Sequence, residues 1–352
     1  MTTSTPITKR HGYAARTARA VRNPGIARRR LLAAAGALLV GPGLTPAAKA
    51  QADWPAGKVI TWVVPYPPGG STDVLGRNVA QRISAALGTH VIVDNKAGAT
   101  GTIGAAFVAK AAPDGYTLLG TSIGPQAIAP HLMGKLPYDP IAGFEPVATI
   151  GTIPHILVVG ASQPFNSVDD LVAAAKAKPG SLAFASGGSG TILQMQGELL
   201  QQQTGARFIH VPYKGDTPAL QDTLAGQVQF MFAPAAAALP HVQAGKLRAL
   251  AVTSASRLKS LPTVPTMGEV GMKDFVVEQW QAVFAPAKTP PAVVQRLNQE
   301  IGRALQDPAV VALAEKLGVT LVGGTPQQLG DLQRADSAKW ARVIKDGNIK
   351  AE

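Results

Sequence analysis

The sequence contains no cysteine among its 352 residues. Disulfides, thiolate metal sites, a cysteine nucleophile and a lipid-anchored cysteine are therefore excluded. The six histidines form neither an H-x-H nor an H-E-x-x-H spacing, so no metal site is predicted. Asp73 and Asp94 have no second carboxylate near them in sequence that would make an acid–base pair. These absences give no sequence support for a metal site, a cysteine nucleophile or a paired-carboxylate mechanism.

Acidic residues are missing from residues 1–50, which hold nine of the 33 basic residues. The rest of the chain carries 24 basic residues against 21 acidic ones, so its net charge is +3 whereas that of the whole chain is +12. The positive charge is concentrated in the N-terminal segment, and it does not predict a nucleic-acid partner.

Long apolar runs are also lacking. Residues 31–44 are mildly apolar, but a membrane span needs about 20 such residues to cross ~30 Å of hydrocarbon. This stretch follows an arginine cluster and precedes Ala48-x-Ala50, which is the order of a secretory signal, with a retained membrane anchor as the alternative. Arg28-Arg29 resembles the twin-arginine variant. We expect export, cleavage near Ala50 and a soluble periplasmic protein.

Strand-like and helix-like segments alternate along the remaining 302 residues. Examples are "KVITWVVPY" before "DVLGRNVAQRISAAL", and "SLAFASG" before "ILQMQGELLQQQ". Such alternation predicts an α/β fold with mainly parallel sheets flanked by helices, and the length favours two domains.

Two glycine-rich turns each follow a strand and open a helix. The first is Gly69-Gly70-Ser71-Thr72, and the second is "SGGSGT", residues 186–191. Helix N-termini expose unpaired N–H groups and a partial positive charge, glycine allows a ligand close to the backbone, and Ser or Thr adds hydroxyl donors. The turns are therefore either an anion clamp or ordinary capped βα turns.

The anion is not predicted to be a nucleotide. Neither turn matches G-x-x-x-x-G-K-[ST], and no lysine follows either glycine cluster. "GATGTIG", residues 98–104, has the spacing G-x-x-G-x-x-G, which does not fit a dinucleotide loop. A small carboxylate held by N–H and hydroxyl groups fits better.

Several motifs together resemble one known family, the Bug-type extracytoplasmic solute-binding proteins of tripartite tricarboxylate transporters. From about Trp54 to the C-terminus they are "VPYPPGGSTDVLGR", "APDGYTLLGTS", "LPYDP", "HVPYKGDTPALQDTLAGQV", "LPHVQAGKLRALAVTSASR" and "FAPAKTPPAVVQRLN". The resemblance implies a two-domain periplasmic-binding-protein fold with a ligand cleft between the domains, in a monomer that catalyses nothing and delivers an organic carboxylate to a membrane permease. The expected division is residues 1–50 as signal peptide, 51–153 plus 276–352 as the first domain, and 154–275 as the second.

The resemblance also implies which residues surround the ligand. They are Tyr66, Gly70, Ser71, Asp73, Thr121, Ser122, Ser186, Gly188, Ser189, Gly190 and Thr191. The sequence departs from the family at Ala233, where members often have an aspartate facing the ligand. Either an amino-acid ligand is disfavoured for lack of that carboxylate, or Ala233 lies just outside the pocket.

A serine hydrolase is the alternative function. Residues 120–124 read G-T-S-I-G, which matches the G-x-S-x-G nucleophile elbow at Ser122, but no H-G-G-G-type oxyanion segment precedes it. Two further residues have open roles. Trp280 either lines the cleft or packs the hinge, and Lys214 is either a turn residue or a ligand clamp.

Overall fold

The structure is a computed structural model that describes residues 54–350. The predicted leader, with Arg28-Arg29 and the Ala48-x-Ala50 cleavage site, lies outside these residues. Across 54–350, no helix combines the length and apolar character that crossing a membrane requires.

The strands, in chain order, are β1 (Ile60–Val64), β2 (Val91–Asn95), β3 (Thr117–Ser122), β4 (Phe144–Gly160), β5 (Ala183–Ser186), β6 (Ile209–Pro212), β7 (Phe230–Pro234), β8 (Leu247–Val252), β9 (Glu278–Pro286) and β10 (Thr320–Leu321).

The α-helices, in chain order, are α1 (Ser71–Leu87), α2 (Thr102–Ala109), α3 (Ala129–Leu132), α4 (Val168–Ala177), α5 (Ile192–Thr204), α6 (Asp216–Leu224), α7 (Ala235–Gln243), α8 (Pro291–Ala304), α9 (Pro308–Lys316) and α10 (Pro326–Asp346). Two short helical turns of other types, Ala99–Gly101 and Gly124–Ile128, precede α2 and α3.

One long strand, β4, joins two halves of the sheet. The strand order is β2-β1-β3-β9-β4-β7-β5-β6, with β8 and β10 also paired to β4. Up to Pro154, β4 pairs with β9, and from His155 onward it pairs with β7 and β8. The first half-sheet therefore consists of β1–β3, β9, β10 and the start of β4, and the second half-sheet of β5–β8 and the end of β4.

The local sequence explains the elements that lead into the site. β1 reads ITWVV and is buried on both faces apart from Thr61, as expected for an inner strand. In α1, Leu75, Val79, Ile83 and Leu87 recur at four-residue spacing and are buried, so that they form the helix face that packs on the core around Trp62.

The sheet is mixed, which corrects part of the prediction. β1 pairs in parallel with β2 and β3, and β5 with β6 and β7, as the alternation predicts. The central pairs of β4 with β7, β8, β9 and β10, and of β3 with β9, are antiparallel. The prediction of mainly parallel half-sheets is therefore wrong at the centre.

The sequence predicts only the last third of β4, "HILVVG", as a strand. Pro146 and Pro154 interrupt the earlier part, and proline is depleted within sheets because it cannot donate to the ladder. The strand accommodates this with register shifts between Pro146 and Ala148 and between Thr149 and Gly151. The sequence pattern therefore reveals β4 only after its second proline, Pro154.

Candidate ligand-binding site

A cavity of about 300 Å³ lies where loops of the two half-sheets meet. Its walls come from the β1–α1, β3–α3, β5–α5 and β6–α6 connections, from the turn before α2 and from the start of β9. The lining residues are Tyr66, Gly70, Ser71, Thr72, Thr100, Ser122, Ile123, Gly124, Gly190, Thr191, Ile192, Leu193, Asp216 and Gln279.

The β1–α1 turn is held from behind by Asp73. Its carboxylate accepts hydrogen bonds from Gly69 N–H at 2.9 Å and from Asn95 Nδ2 at 2.9 Å, and it pairs with Arg77 at 2.9 Å. Burial alone would raise the pKa of Asp73, but the hydrogen bonds from Arg77, Gly69 and Asn95 outweigh it and hold the pKa below its ordinary value. Asp73 therefore orders the turn and does not line the cavity.

The start of α1 presents unpaired backbone donors. The first backbone hydrogen bond of the helix runs from Val74 N–H to Gly70 O at 2.9 Å. The N–H groups of Ser71 and Thr72 precede it and have no partner within the helix, as at any helix N-terminus. The Ser71 hydroxyl accepts from Gln281 Nε2 at 2.8 Å, which links α1 to β9.

Ser122 lies at the end of β3, with its Oγ 2.6 Å from the Tyr66 hydroxyl. Burial raises the pKa of Tyr66, so its phenol stays neutral and can donate. No histidine is bonded to Ser122 within residues 54–350, so the described structure contains no nucleophile–base pair there. The glycine before it in G-x-S-x-G, Gly120, has a packing reason, because a Cβ there would collide with the Trp62 indole.

The second glycine turn connects β5 to α5. Thr191 is the N-cap of α5: its Oγ1 accepts from Gln194 N–H at 3.5 Å and donates to Gly188 O at 2.7 Å. Gly188 and Gly190 have φ values of 128° and 82°, a region that side chains rarely adopt. The Gly190 N–H donates to Gln194 Oε1 at 2.8 Å, so this group is already used within the turn. The Thr191 cap and the start of α5 therefore face the cavity.

The positive electrostatic contributions to the cavity come from backbone. The helices α1, α5 and α6 all begin at residues that line it. Among the described residues that line it, none is Lys, Arg or His. An anion here would be held by helix N-termini, N–H groups and hydroxyls and not by a cationic side chain.

The structure brings half of the predicted residues together. Those that line the cavity are Tyr66, Gly70, Ser71, Ser122, Gly190 and Thr191. Those outside its lining are Asp73, Thr121, Ser186, Gly188, Ser189 and Ala233.

These outer residues lie close behind the cavity or in the core. Ser186 is fully buried and its Oγ is 2.7 Å from His210 Nε2, and Thr121 is fully buried in β3. Ala233 is fully buried in β7 opposite Ile156. Ala233 is therefore outside the lining of this cavity.

Sequence reasoning missed the remaining lining residues. They are Thr72, Thr100, Ile123, Gly124, Ile192, Leu193, Asp216 and Gln279. Asp216 had a usable signal, because it begins a helix after a strand as Ser71 does. Gln279 had none, since only the tertiary fold brings β9 to this point.

Trp280 and Lys214 have clear positions. Trp280 is 1% exposed and its Nε1 donates to Asp336 in α10 at 2.7 Å, so it packs β9 against that helix. Lys214 is exposed on the β6–α6 turn and is not among the lining residues.

The chain resembles known proteins over most of its length. A family model described as "Tripartite tricarboxylate transporter family receptor" matches residues 75–349. Protein BugT of Bordetella pertussis is 40% identical over 322 residues, which covers 91% of this chain and 98% of BugT. The solved periplasmic binding protein BugD is 33% identical with a TM-score of 0.71, covering 84% of this chain and 99% of BugD.

A solved R. palustris protein in complex with adipate is 34% identical with a TM-score of 0.74. The match covers 85% of this chain and 100% of that protein. The likeness to BugD confirms the predicted α/β periplasmic-binding-protein fold, and the family model confirms the resemblance drawn from the motifs.

Proposed function

The chain belongs to the tripartite tricarboxylate transporter receptor family, and we propose that it is a periplasmic receptor that captures a small organic carboxylate and delivers it to the membrane subunits of such a transporter. The observation that carries this proposal is the cavity of about 300 Å³ at which three helix N-termini converge. Its volume is at the lower end of small-molecule sites, which fits a ligand of a few carbon atoms.

The ligand carboxylate is assigned to the donors of the two glycine turns. The N–H groups of Ser71 and Thr72 and one hydroxyl of the Tyr66–Ser122 pair supply hydrogen bonds, and the start of α5 adds a partial positive charge. Charge-assisted bonds of this kind are stronger than neutral ones. The R. palustris relative solved with adipate supports a carboxylate as the ligand class.

We assign the residues that contribute to the site to two domains. The first domain is 51–153 plus 276–352, and the second is 154–275. The change of β4 partner between Pro154 and His155 supports this division. Tyr66, Gly70 and Ser71 then belong to the first domain and Gly190, Thr191 and Asp216 to the second. A ligand bound between them would favour the closed arrangement of the domains.

No catalysis is part of the proposal, and no cofactor or nucleic acid is required by it. The hydrolase alternative has no supporting contact in the described structure, because the side chain of Ser122 is bonded to the Tyr66 hydroxyl and to no histidine. We further propose that the chain acts as a monomer after removal of residues 1–50.

The test is a thermal-shift screen of residues 51–352 against a carboxylate library. A ligand at 100 times its Kd stabilises a protein by about 2.7 kcal/mol, which moves Tm by a readily measured amount. We expect at least one small carboxylate to do so. If no carboxylate stabilises the protein while another class of compound does, the proposal is wrong.

A further inference from the structure

The cavity contains a carboxylate of its own. Asp216, the first residue of α6, lines it together with Thr191 of the β5–α5 turn and Gln279 of β9. It is the one acidic side chain among the described residues of the lining. An acid in a site built for an anion requires an explanation.

The fold makes room for this carboxylate. A Cβ at Gly187 would collide with Asp216 Oδ1, although the backbone of Gly187 is not in the left-handed region. Gly215 N–H donates to Gly187 O at 3.1 Å, so the turn before α6 is held against the turn before α5. Glycine at 187 is thus explained by the space that Asp216 occupies and not by backbone conformation.

Asp216 is not satisfied by the protein. Within residues 54–350 it has no hydrogen bond or ion pair, in contrast to Asp73, which has three partners. Burial raises the pKa of Asp216, with no compensating contact. A half-buried carboxylate without a partner is costly, and a group that donates to it on binding removes this cost.

We infer that Asp216 is a specificity residue that receives an ammonium group, so that the ligand is an amino acid whose carboxylate lies on the helix N-termini and whose ammonium lies on Asp216. This inference rests on the proposed function and names the ligand class for the same cavity. It reverses the expectation, drawn from Ala233, that an amino-acid ligand is disfavoured. Position 233 has no carboxylate, but Asp216 supplies one to the cavity.

The charges of the cavity favour this class over a bare dicarboxylate. No basic side chain of the described lining neutralises Asp216, so a second ligand carboxylate near it would be repelled. A hydroxyl can donate to Asp216 but leaves the charge in place. The expected order of affinity for one carbon skeleton is therefore ammonium, then hydroxyl, then unsubstituted.

The experiment compares matched ligands with two to six carbon atoms, each unsubstituted, hydroxylated and aminated. Succinate, malate and aspartate form one such set. By calorimetry on the wild-type chain, the aminated member is expected to bind about ten-fold or more tightly than the unsubstituted one, because its ammonium group donates a charged hydrogen bond to Asp216. In Asp216→Asn, that ratio should fall to about one.

Two further variants distinguish an effect on ligand specificity from an effect on folding. Asp222→Asn removes a charge from the same helix at a residue bonded to the Tyr213 hydroxyl, and it should keep the wild-type ratio. Gly187→Ala keeps the charge but displaces the Asp216 carboxylate, and it should lower the ratio as Asp216→Asn does.

Each outcome decides between the two proposals. Tighter binding of unsubstituted than aminated members by the wild type, or an unchanged ratio in Asp216→Asn, overturns the role of Asp216 and leaves the carboxylate receptor intact. Failure of every member of every set to bind overturns both.

Discussion

At the scale of single residues, Ser122 shows how packing can produce a catalytic-looking motif. The first glycine of its G-x-S-x-G pattern is explained by the space that Trp62 needs at Gly120, and the second, Gly124, lines the cavity. With the Tyr66 hydroxyl 2.6 Å away and no bonded histidine in the described chain, Ser122 has no base to activate it.

We therefore expect a fluorophosphonate probe to leave Ser122 unlabelled, and Ser122→Ala to weaken carboxylate binding by about ten-fold through loss of one hydrogen bond. Mass spectrometry of the probe-treated protein and calorimetry on the variant are the measurements. Labelling at Ser122, with ester hydrolysis that disappears in Ser122→Ala, would instead support the hydrolase.

His155 makes stability depend on pH. It is fully buried in β4, its Nδ1 accepts from Gln196 Nε2 at 3.0 Å, and its Nε2 has no partner in the described structure. Burial lowers the pKa of His155 to about 3, against 6.5 for an unperturbed histidine. Between these two pH values, His155 is protonated in the unfolded state and neutral in the folded state. The free energy of unfolding therefore falls as the pH falls from 6.5 toward 3.

Between pH 6.5 and 4.5 this loss in the free energy of unfolding should amount to roughly 2 kcal/mol. His155→Gln cannot titrate, so its denaturation midpoint should fall less over this range, whatever its stability at pH 7. His90→Gln, at an exposed histidine, is the control and should keep the wild-type pH dependence. Equal slopes for wild type and His155→Gln in urea titrations would contradict the assignment.

The sequence predicts some of the residues that line the cavity and misses others. Ser71 and Thr191 lie in the two glycine turns that the sequence singles out, whereas Tyr66 and Ser122 are expected only from the family resemblance. Asp216 also begins a helix after a strand, but without a glycine cluster its signal is weaker than theirs.

At the scale of elements, the β1–α1 turn depends on Asp73, a residue outside the lining of the cavity. Its contacts to Gly69 N–H and Asn95 fix the start of α1, and with it the N–H groups of Ser71 and Thr72.

Asp73→Ala should lower the free energy of unfolding by about 1–3 kcal/mol, because it removes the acceptor of two part-buried hydrogen bonds and of the pair with Arg77. It should also weaken ligand binding, since the donors lose their fixed positions. Asp94→Ala removes an exposed pair with Lys96 and should cost less than about 1 kcal/mol. Chemical denaturation and calorimetry on both variants check this, and full ligand affinity in Asp73→Ala would contradict a positioning role.

The helices and strands that the sequence predicts well are those whose own residues carry a clear apolar pattern. α1 follows from its apolar spacing, and β1 and β3 from their apolar runs. The antiparallel centre could not be predicted in this way, because pairing of β4 with β9 joins residues more than 120 positions apart and the prolines of β4 obscure its strand pattern.

At the scale of the whole molecule, the proposed transport role requires export. The N-terminal segment has the charge and cleavage pattern of a twin-arginine signal. Replacing Arg28 and Arg29 by lysine should leave the precursor in the cytoplasm, as measured by fractionation and immunoblotting. Normal accumulation of that variant in the periplasm would exclude the twin-arginine route.

The central claim, that the cavity between the two half-sheets holds the ligand, is tested most directly by filling it. Gln279 lines the cavity, whereas its neighbour Glu278 in β9 points to the opposite side of the strand. Calorimetry with a carboxylate that stabilises the wild type should give one site per chain in wild type and in Glu278→Trp, and no binding in folded Gln279→Trp. Unchanged affinity in Gln279→Trp would show that the ligand binds elsewhere.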